Sequence, residues 1–462
     1  MAREIVNRER ELAELRRLAA HPPSLVVLRG RRRVGKTFLL RVAISGDRVA
    51  SVQAEEKPRA LQLEDMARAC SSLSQGAPPL RFADWGEAFS FVERQASATG
   101  PLTVVLDEFQ YLVASDPSLP SVIQRLWDRW DQEQAPVTLI LSGSAISFMD
   151  SLLGGARPTF GRSVYRPLLL PLTYRDAKAF AAPGSTAVDW VQRYGVLGGT
   201  PQYQLWAGKA RLPDIIRSAI LPTDCPLHSD PEHLIREEEG IRGPGPYFGA
   251  LDAIANGYTT TTAIAGRLEM SNQLTTKFLS RLSELSYITR VDPLEARGVA
   301  SSRGFWKITD PYFRFWFRFV FSNRSRLARG RVDEVAAEIE RDLPTYFGPA
   351  FEDCCREWVG RYADLGKDAV GVGSWWSRKS DVEIDVVTRT KKGYGLLGSC
   401  KWTRGIVKPS VLDDLQRARA HLGVDAAKAR LAIFARGEFS DALRTRAEKE
   451  DVALVAAQDL FD

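Results

Sequence analysis

The stretch Ser24-Leu-Val-Val-Leu28-Arg-Gly30-Arg31-Arg32-Arg33-Val34-Gly35-Lys36-Thr37-Phe38 decides the fold class. Its first part is a short apolar run of the buried-strand kind, and Phe38 to Ile44 continues with helical character, so a glycine-bounded loop joins a strand to a helix. That is the opening unit of a parallel α/β sheet. The loop fits G-x-x-x-x-G-K-[ST], and it stands after a strand and before a helix, where the pattern has a physical meaning. Glycines let main-chain N–H groups turn inward around phosphates, and a helix N-terminus favours anions. Lys36 then reaches the β- and γ-phosphates, and the Thr37 hydroxyl binds Mg²⁺. Gly30 to Phe38 are therefore the expected ATP cradle.

Two further apolar runs extend the sheet. Leu102-Thr-Val-Val-Leu106 ends in Asp107-Glu108, and Val137-Thr-Leu-Ile-Leu141 ends in Ser142-Gly143-Ser144. Ligands gather beyond the carboxyl ends of strands in an open parallel sheet. Asp107 is thus expected to hold Mg²⁺, and Glu108 to orient or deprotonate the attacking water; the bland alternative is a solvated strand end. Ser142 and Ser144 stand open between sensing the γ-phosphate and forming a turn. Arg162 is a candidate cation for transition-state charge, with a surface ion pair as its alternative. Upstream, Ile5, Leu12, Leu15 and Leu18 recur at helical spacing behind Asn7, a plausible helix cap.

A chain of 462 residues exceeds one ordinary hydrophobic core, which predicts roughly two to four domains. Its 44% apolar and 26% charged residues exclude a largely disordered chain. A net charge of +6 permits a polyanionic partner without demanding one. Five cysteines without C-x-x-C spacing suggest neither a disulfide framework nor a zinc site. The charged opening lacks the apolar core of a signal peptide, and no apolar run approaches the roughly 20 residues of a membrane span. A cytoplasmic protein without a membrane partner is the expectation.

Composition changes at Gly243-Pro-Gly-Pro246, a turn-rich hinge. Residues 1–240 are read as the nucleotide-binding domain, with a helical lid after Pro171. Residues 247–320 are read as a helix-turn-helix: helices near 248–256, from Thr260 and from Asn272 to Leu285, then two short strands around Glu295-Ala-Arg-Gly298. A basic helix over 323–340 and a return to α/β pattern, including Asp381-Val-Glu-Ile-Asp-Val-Val387, make 325–462 the last domain. The aromatic run Tyr312 to Phe321 reads as core with arginines reaching outward rather than as a base-stacking platform.

Several of these pieces, taken together, resemble archaeal-type P-loop ATPases of the AAA+/STAND assemblage. They are Val6-Asn7-Arg8-Glu9-Arg10-Glu11-Leu12, GRRRVGKT at 30–37, LDEFQYL at 106–112, LSGSAISFM at 141–149, PLTYRDA at 171–177 and Gly198-Gly-Thr-Pro201-Gln-Tyr203. The resemblance implies that Asn7 and Arg8 pack against the nucleotide and that the Gly198–Pro201 turn belongs to the lid. It carries the phosphate, metal and water roles onto Lys36, Thr37, Asp107 and Glu108.

The same resemblance continues through a winged helix-turn-helix into a terminal domain related to PD-(D/E)xK nucleases. It implies a metal site at Glu352 and Asp385, with Lys401 supporting the attacking water. Ser399 departs from the pattern, which has a carboxylate there; Ser is a weak ligand without charge, and Glu383 is a substitute on the same strand face. A fold kept for binding nucleic acid or a partner is the alternative to cleavage.

For the helix-turn-helix, Asn272, Gln273, Thr275, Thr276, Lys277 and Arg281, with Arg267, Arg290 and Arg303 nearby, suit contact with double-stranded DNA; a protein-binding module or homo-oligomer contact is the alternative. The leading expectation is an ATP- and Mg²⁺-dependent ATPase whose nucleotide state controls DNA contact. A STAND-type assembly switch and an ATP-gated DNase are the other two.

Overall fold

The computed structural model describes residues 5–73, 80–152, 162–238, 241, 243–295, 303–379 and 381–462. The chain divides into two compact units, Met1–Pro171 and Leu172–Asp462.

In the first unit four parallel strands, β1 (Ser24–Arg29), β2 (Val49–Gln53), β3 (Leu102–Asp107) and β4 (Val137–Gly143), lie in the order β1-β4-β3-β2. Short parallel bridges from Tyr165 and Leu168 flank β1. The apolar runs of β1, β3 and β4 are continuous because both sheet faces are covered. Alternation sorts them: Leu25, Val27, Val104, Leu106, Leu139 and Leu141 enter one core, while Val26, Leu28, Val105 and Ile140 enter the other. The register aligns Leu28 with Ser142 and Gln53 with Asp107, so the strands end along one edge.

The first helix is Glu9–Ala20, with Arg8 in the cap position and no side-chain cap. Asn7 is therefore not the cap; its backbone is left-handed at φ +49° and it lies one residue too early. The P-loop helix is Lys36–Ala43.

In the second unit three helices, Gly245–Ala255, Thr261–Leu268 and Asn272–Glu284, precede an antiparallel pair, β5 (Ile288–Val291) and β6 (Phe305–Ile308). Of the expected strand-to-strand turn, residues 296–302 lie outside the described residues. Tyr312, Phe313, Phe315, Trp316, Phe317 and Phe319 are buried, so the aromatic run is core. The segment read as a lid places Val196, Tyr203, Ile216 and Leu227 in that same core, beside Phe248, Leu251 and Ile339.

Where one basic helix was expected over 323–340, a short helix, Arg324–Leu327, ends near Gly330, whose φ of +75° breaks the helical path. A long helix, Val332–Arg361, follows with Pro344 and Pro349 inside it. Its earlier apolar residues, Val335 to Phe347, join the aromatic core, and its later ones, Phe351 to Val359, join another core with Val386, Leu396 and Phe434.

The final sheet contains β7 (Gly371–Trp376), β8 (Glu383–Thr390), β9 (Gly393–Lys401), β10 (Arg430–Ala435) and β11 (Val452–Ala456), in the order β11-β10-β9-β8-β7. β7, β8 and β9 pair antiparallel, and β9, β10 and β11 pair parallel.

Candidate functional site

The loop from Gly30 to Gly35 leaves β1 at the sheet's ligand-facing edge. Gly30 has no room for a side chain, because an added Cβ would stand 2.7 Å from the Leu169 carbonyl oxygen. Gly35 has φ +97°, a conformation that L side chains resist, and it sets the turn into the helix. Arg33 is left-handed at φ +70°, Val34 is buried, and Phe38 is 38% exposed on the helix beyond. Arg32 donates to the Tyr111 hydroxyl at 2.6 Å.

Lys36 is only 4% exposed. Its ammonium donates to the carbonyl oxygens of Gly30 (2.8 Å) and Arg31 (3.2 Å) and lies 3.9 Å from Glu108 Oε1. Burial lowers its pKa, against the opposing pull of Glu108 and Asp107. The ammonium is thus aimed across the loop rather than into solvent.

Thr37 Oγ1 donates to Asp107 Oδ2. A hydroxyl that spends its proton on a carboxylate keeps its lone pairs for a hard cation, so Thr37 and Asp107 fit Mg²⁺ by donor type. Glu108 follows with a left-handed backbone, φ +53°. Glu108 Oε2 accepts from Gln110 Nε2 (2.5 Å), Ser144 Oγ (2.6 Å) and Ser144 N (3.3 Å). Burial raises its pKa, but Lys36 and the Ser144 and Gln110 hydrogen bonds outweigh that and leave it lowered, so the group is a carboxylate at neutral pH.

Lys36, Thr37, Asp107, Glu108 and Ser144 are therefore brought together from three strand ends. Ser142 is buried beneath them. Gln110 went unread in the sequence; a polar residue in the first turn after an acid pair was the signal that could have found it. Arg8 donates to the Leu170 carbonyl, tying the opening segment to the end of this unit. Arg162 meets the carboxylate of Asp128 through Nε (2.5 Å) and Nη2 (3.0 Å).

A second polar cluster surrounds the long helix of the other unit. Glu352 has its pKa pushed up to about 7, first by burial and then by Asp385, against Arg356. Arg356 lies 3.5 Å from Glu352 Oε2, and donates to the Asp385 carbonyl oxygen (2.6 Å) and to Asp353 Oδ1 (2.7 Å). Asp385 Oδ2 accepts from Cys400 N (2.6 Å) and Ser399 Oγ (3.4 Å). Ser399 thus gives its proton to Asp385 instead of offering charge to a cation. Among the described residues no group of three or more His, Cys, Asp or Glu side chains is arranged to hold a metal ion. Glu352 feels the charge of Asp385 and Glu383 at the place where the resemblance puts a nuclease metal, and Ser399 adds no charge there.

Asp353, beside them, was not singled out by sequence. It accepts from Lys307 (2.5 and 2.7 Å) and from Arg356, and Arg314 lies 3.6 Å away. Burial works against its charge, yet those cations hold its pKa well below the usual carboxylate range. Arg314 therefore points inward to a carboxylate and does not reach for solvent.

On the helix Asn272–Glu284, Asn272, Gln273, Thr276 and Lys277 are exposed. Thr275 is fully buried, because it falls on the face that carries Leu279 and Leu282, so it is removed from the set able to touch DNA. Arg281 meets Glu284, and Arg290 meets Asp292. Arg303 is held by Glu295 and the Trp376 carbonyl, and Arg267 lies 5.9 Å from the centre of the Tyr258 ring. No helix among the described residues is long and apolar enough to cross a membrane.

Comparison with known proteins finds two family models that match parts of the chain. Residues 5–203 match the model of a family described as an ATPase domain predominantly from Archaea, so the chain contains an ATPase domain. Residues 316–418 match a family of archaeal and bacterial proteins of unknown function. An uncharacterised protein of Methanocaldococcus jannaschii is 28% identical over 435 residues, covering 91% of this chain and 93% of the relative. Among solved structures, the Walker-type ATPase of Pyrococcus abyssi is 19% identical, with a TM-score of 0.49 over 68% of this chain and 96% of that one. The ORC2 protein of Aeropyrum pernix is 14% identical, with a TM-score of 0.43 over 73% of this chain and 96% of that one.

Proposed function

We propose that this protein hydrolyses ATP at the site built on Lys36, Thr37, Asp107 and Glu108, and that its nucleotide state controls contact between the second unit and duplex DNA. One observation carries the hydrolysis reading: a buried lysine, a hydroxyl and two acids of different environment converge from separate strand ends on one glycine-bounded loop. Lys36 turns its ammonium from the Gly30 and Arg31 carbonyls to the β- and γ-phosphates, which replace neutral acceptors with charged ones. Thr37 and Asp107 are the groups to hold Mg²⁺, which supplies positive charge at the phosphate oxygens. Glu108 Oε1, the oxygen not committed to Ser144 and Gln110, orients the attacking water and takes its proton. Arg162 is kept as the candidate for transition-state charge, with release from Asp128 as its requirement.

The DNA reading is supported by the exposed face of Asn272, Gln273, Thr276 and Lys277 on the third helix of a compact three-helix and hairpin module, read here as a winged helix. The terminal sheet, read as a nuclease-like fold, serves binding and not cleavage, since Ser399 and Cys400 N engage the Asp385 carboxylate.

The test is ATP hydrolysis by the wild type and by Lys36→Ala, each with and without duplex DNA at low and moderate salt. Turnover that disappears in Lys36→Ala and rises with DNA in a salt-sensitive way is expected. Turnover blind to DNA would recast the helical module as a protein-binding one, as in an ATP-dependent assembly switch. A wild type without turnover would sink the hydrolysis reading.

A further inference from the structure

Four hydrogen bonds join Glu108, Gln110 and Ser144. Gln110 Nε2 donates to Glu108 Oε2 at 2.5 Å and to Ser144 Oγ at 3.1 Å, while Ser144 Oγ and N both donate to the same Oε2. Three donors therefore meet one carboxylate oxygen, and Oε1 stays on the side of Lys36. The amide orientation is fixed by charge: the opposite assignment would set the Gln110 carbonyl oxygen against a carboxylate.

Gln110 is 8% exposed, and among the described residues its Oε1 is a buried atom with no hydrogen-bond partner. An amide is a costly side chain to bury where an apolar one would pack as well. The backbone makes room for this costly side chain. A Cβ on Gly143, the last residue of β4, would lie 2.8 Å from Gln110 Oε1 and 2.6 Å from Met149 Sδ. Glu108's left-handed backbone brings Gln110 into the first turn of the helix Phe109–Ser115, where its amide reaches back over the carboxylate.

We infer that Gln110 is a positioning residue for hydrolysis: with Ser144 it pins Oε2 of Glu108, leaving Oε1 as the single oxygen presented to the attacking water. The inference rests on the reading of Glu108 as the base. A carboxylate free to rotate presents either oxygen and several orientations, and only a fraction of these lie on the line to the reacting phosphorus.

The experiment is single-turnover hydrolysis by the full chain with Mg·ATP, comparing wild type, Gln110→Met, Glu108→Gln and the double variant, with nucleotide binding measured on each. Gln110→Met keeps the side chain's length and packing and removes its donors. Its rate is expected to fall about tenfold with nucleotide affinity unchanged, the size of effect a misaligned catalytic group produces. In the Glu108→Gln background the same change is expected to have no further effect, because Gln110 acts only through Glu108. An unaltered rate in Gln110→Met, or a fall that repeats in full in the Glu108→Gln background, would overturn the inference. Equal rates for wild type and Glu108→Gln would instead overturn the reading of Glu108 as base, and the inference with it.

Discussion

The hydroxyl of Thr37 donates to Oδ2 of Asp107, tying the first turn of the helix after the loop to the last residue of β3. Thr37→Val preserves the side chain's shape and removes that hydroxyl. The Mg²⁺ concentration for half-maximal turnover is expected to rise roughly 10- to 100-fold, the scale on which disturbed metal-site contacts act. An unchanged Mg²⁺ requirement would remove Thr37 from the metal site.

Ligand linkage gives a test that needs no turnover. With Mg·ATP at about 100 times its Kd, wild type gains about 2.7 kcal/mol of stability in the first unit. Lys36→Ala is expected to gain nothing, as read by thermal denaturation with and without nucleotide. An equal gain in both proteins would mean that the phosphates are held elsewhere.

Gly143 is packed without slack. Gly143→Ala forces its methyl onto Met149 and Gln110 and is expected to cost roughly 1–3 kcal/mol in urea unfolding, as overpacking does in a filled core. Wild-type stability in this variant would show that both side chains yield freely.

In the second unit, Asp353 faces Lys307, Arg314 and Arg356. Asp353→Ala leaves these partly exposed cations without their shared carboxylate, and a loss of about 1.5–3 kcal/mol, the scale of hydrogen bonds to charged groups, is expected from denaturant unfolding. A loss below about 1 kcal/mol would mean that solvent replaces the carboxylate.

Glu352 titrates at about 7 in the fold against an ordinary 4.5. Across that window the folded chain holds a proton that the unfolded chain has released, so stability falls as pH rises through it. Glu352→Gln abolishes the penalty. Its melting temperature is expected to exceed the wild type's at pH 8 and to match it at pH 4; equal melting temperatures at pH 8 would refute the raised pKa.

The sheet of the first unit was legible where the chemistry was periodic and extreme. The runs at 24–28, 102–106 and 137–141 are buried on both faces and read as unbroken apolar sequence. β2 escaped because Val49-Ala-Ser-Val-Gln53 is half buried, with Ser51 and Gln53 exposed, and presents only two strong apolar residues. Lys36, Thr37, Asp107 and Glu108 were readable because their spacing is dictated by phosphate and metal geometry. Gln110 was harder to read, since its partner Ser144 follows a different strand, and a contact between two strand ends leaves no local trace beyond a polar residue just after the acid pair. The same holds for Arg356 and Asp353, whose partners include Lys307 on β6. Thr275 failed for the opposite reason: a polar residue can occupy the inward face of a helix, and composition alone does not say which face that is.

The long helix Val332–Arg361 serves two cores in succession; Pro349 sits where one gives way to the other, and Pro344 lies just before it, within the stretch that packs in the first. Each proline lacks an N–H, so the carbonyl groups of Glu340 and Thr345 lose their helical donors. The helix is consequently weakest in hydrogen bonding at the place where its side chains change allegiance. Amide hydrogen exchange should be faster across residues 340–349 than in either flanking half, making the helix a coupling with a soft middle between the aromatic core and the terminal sheet.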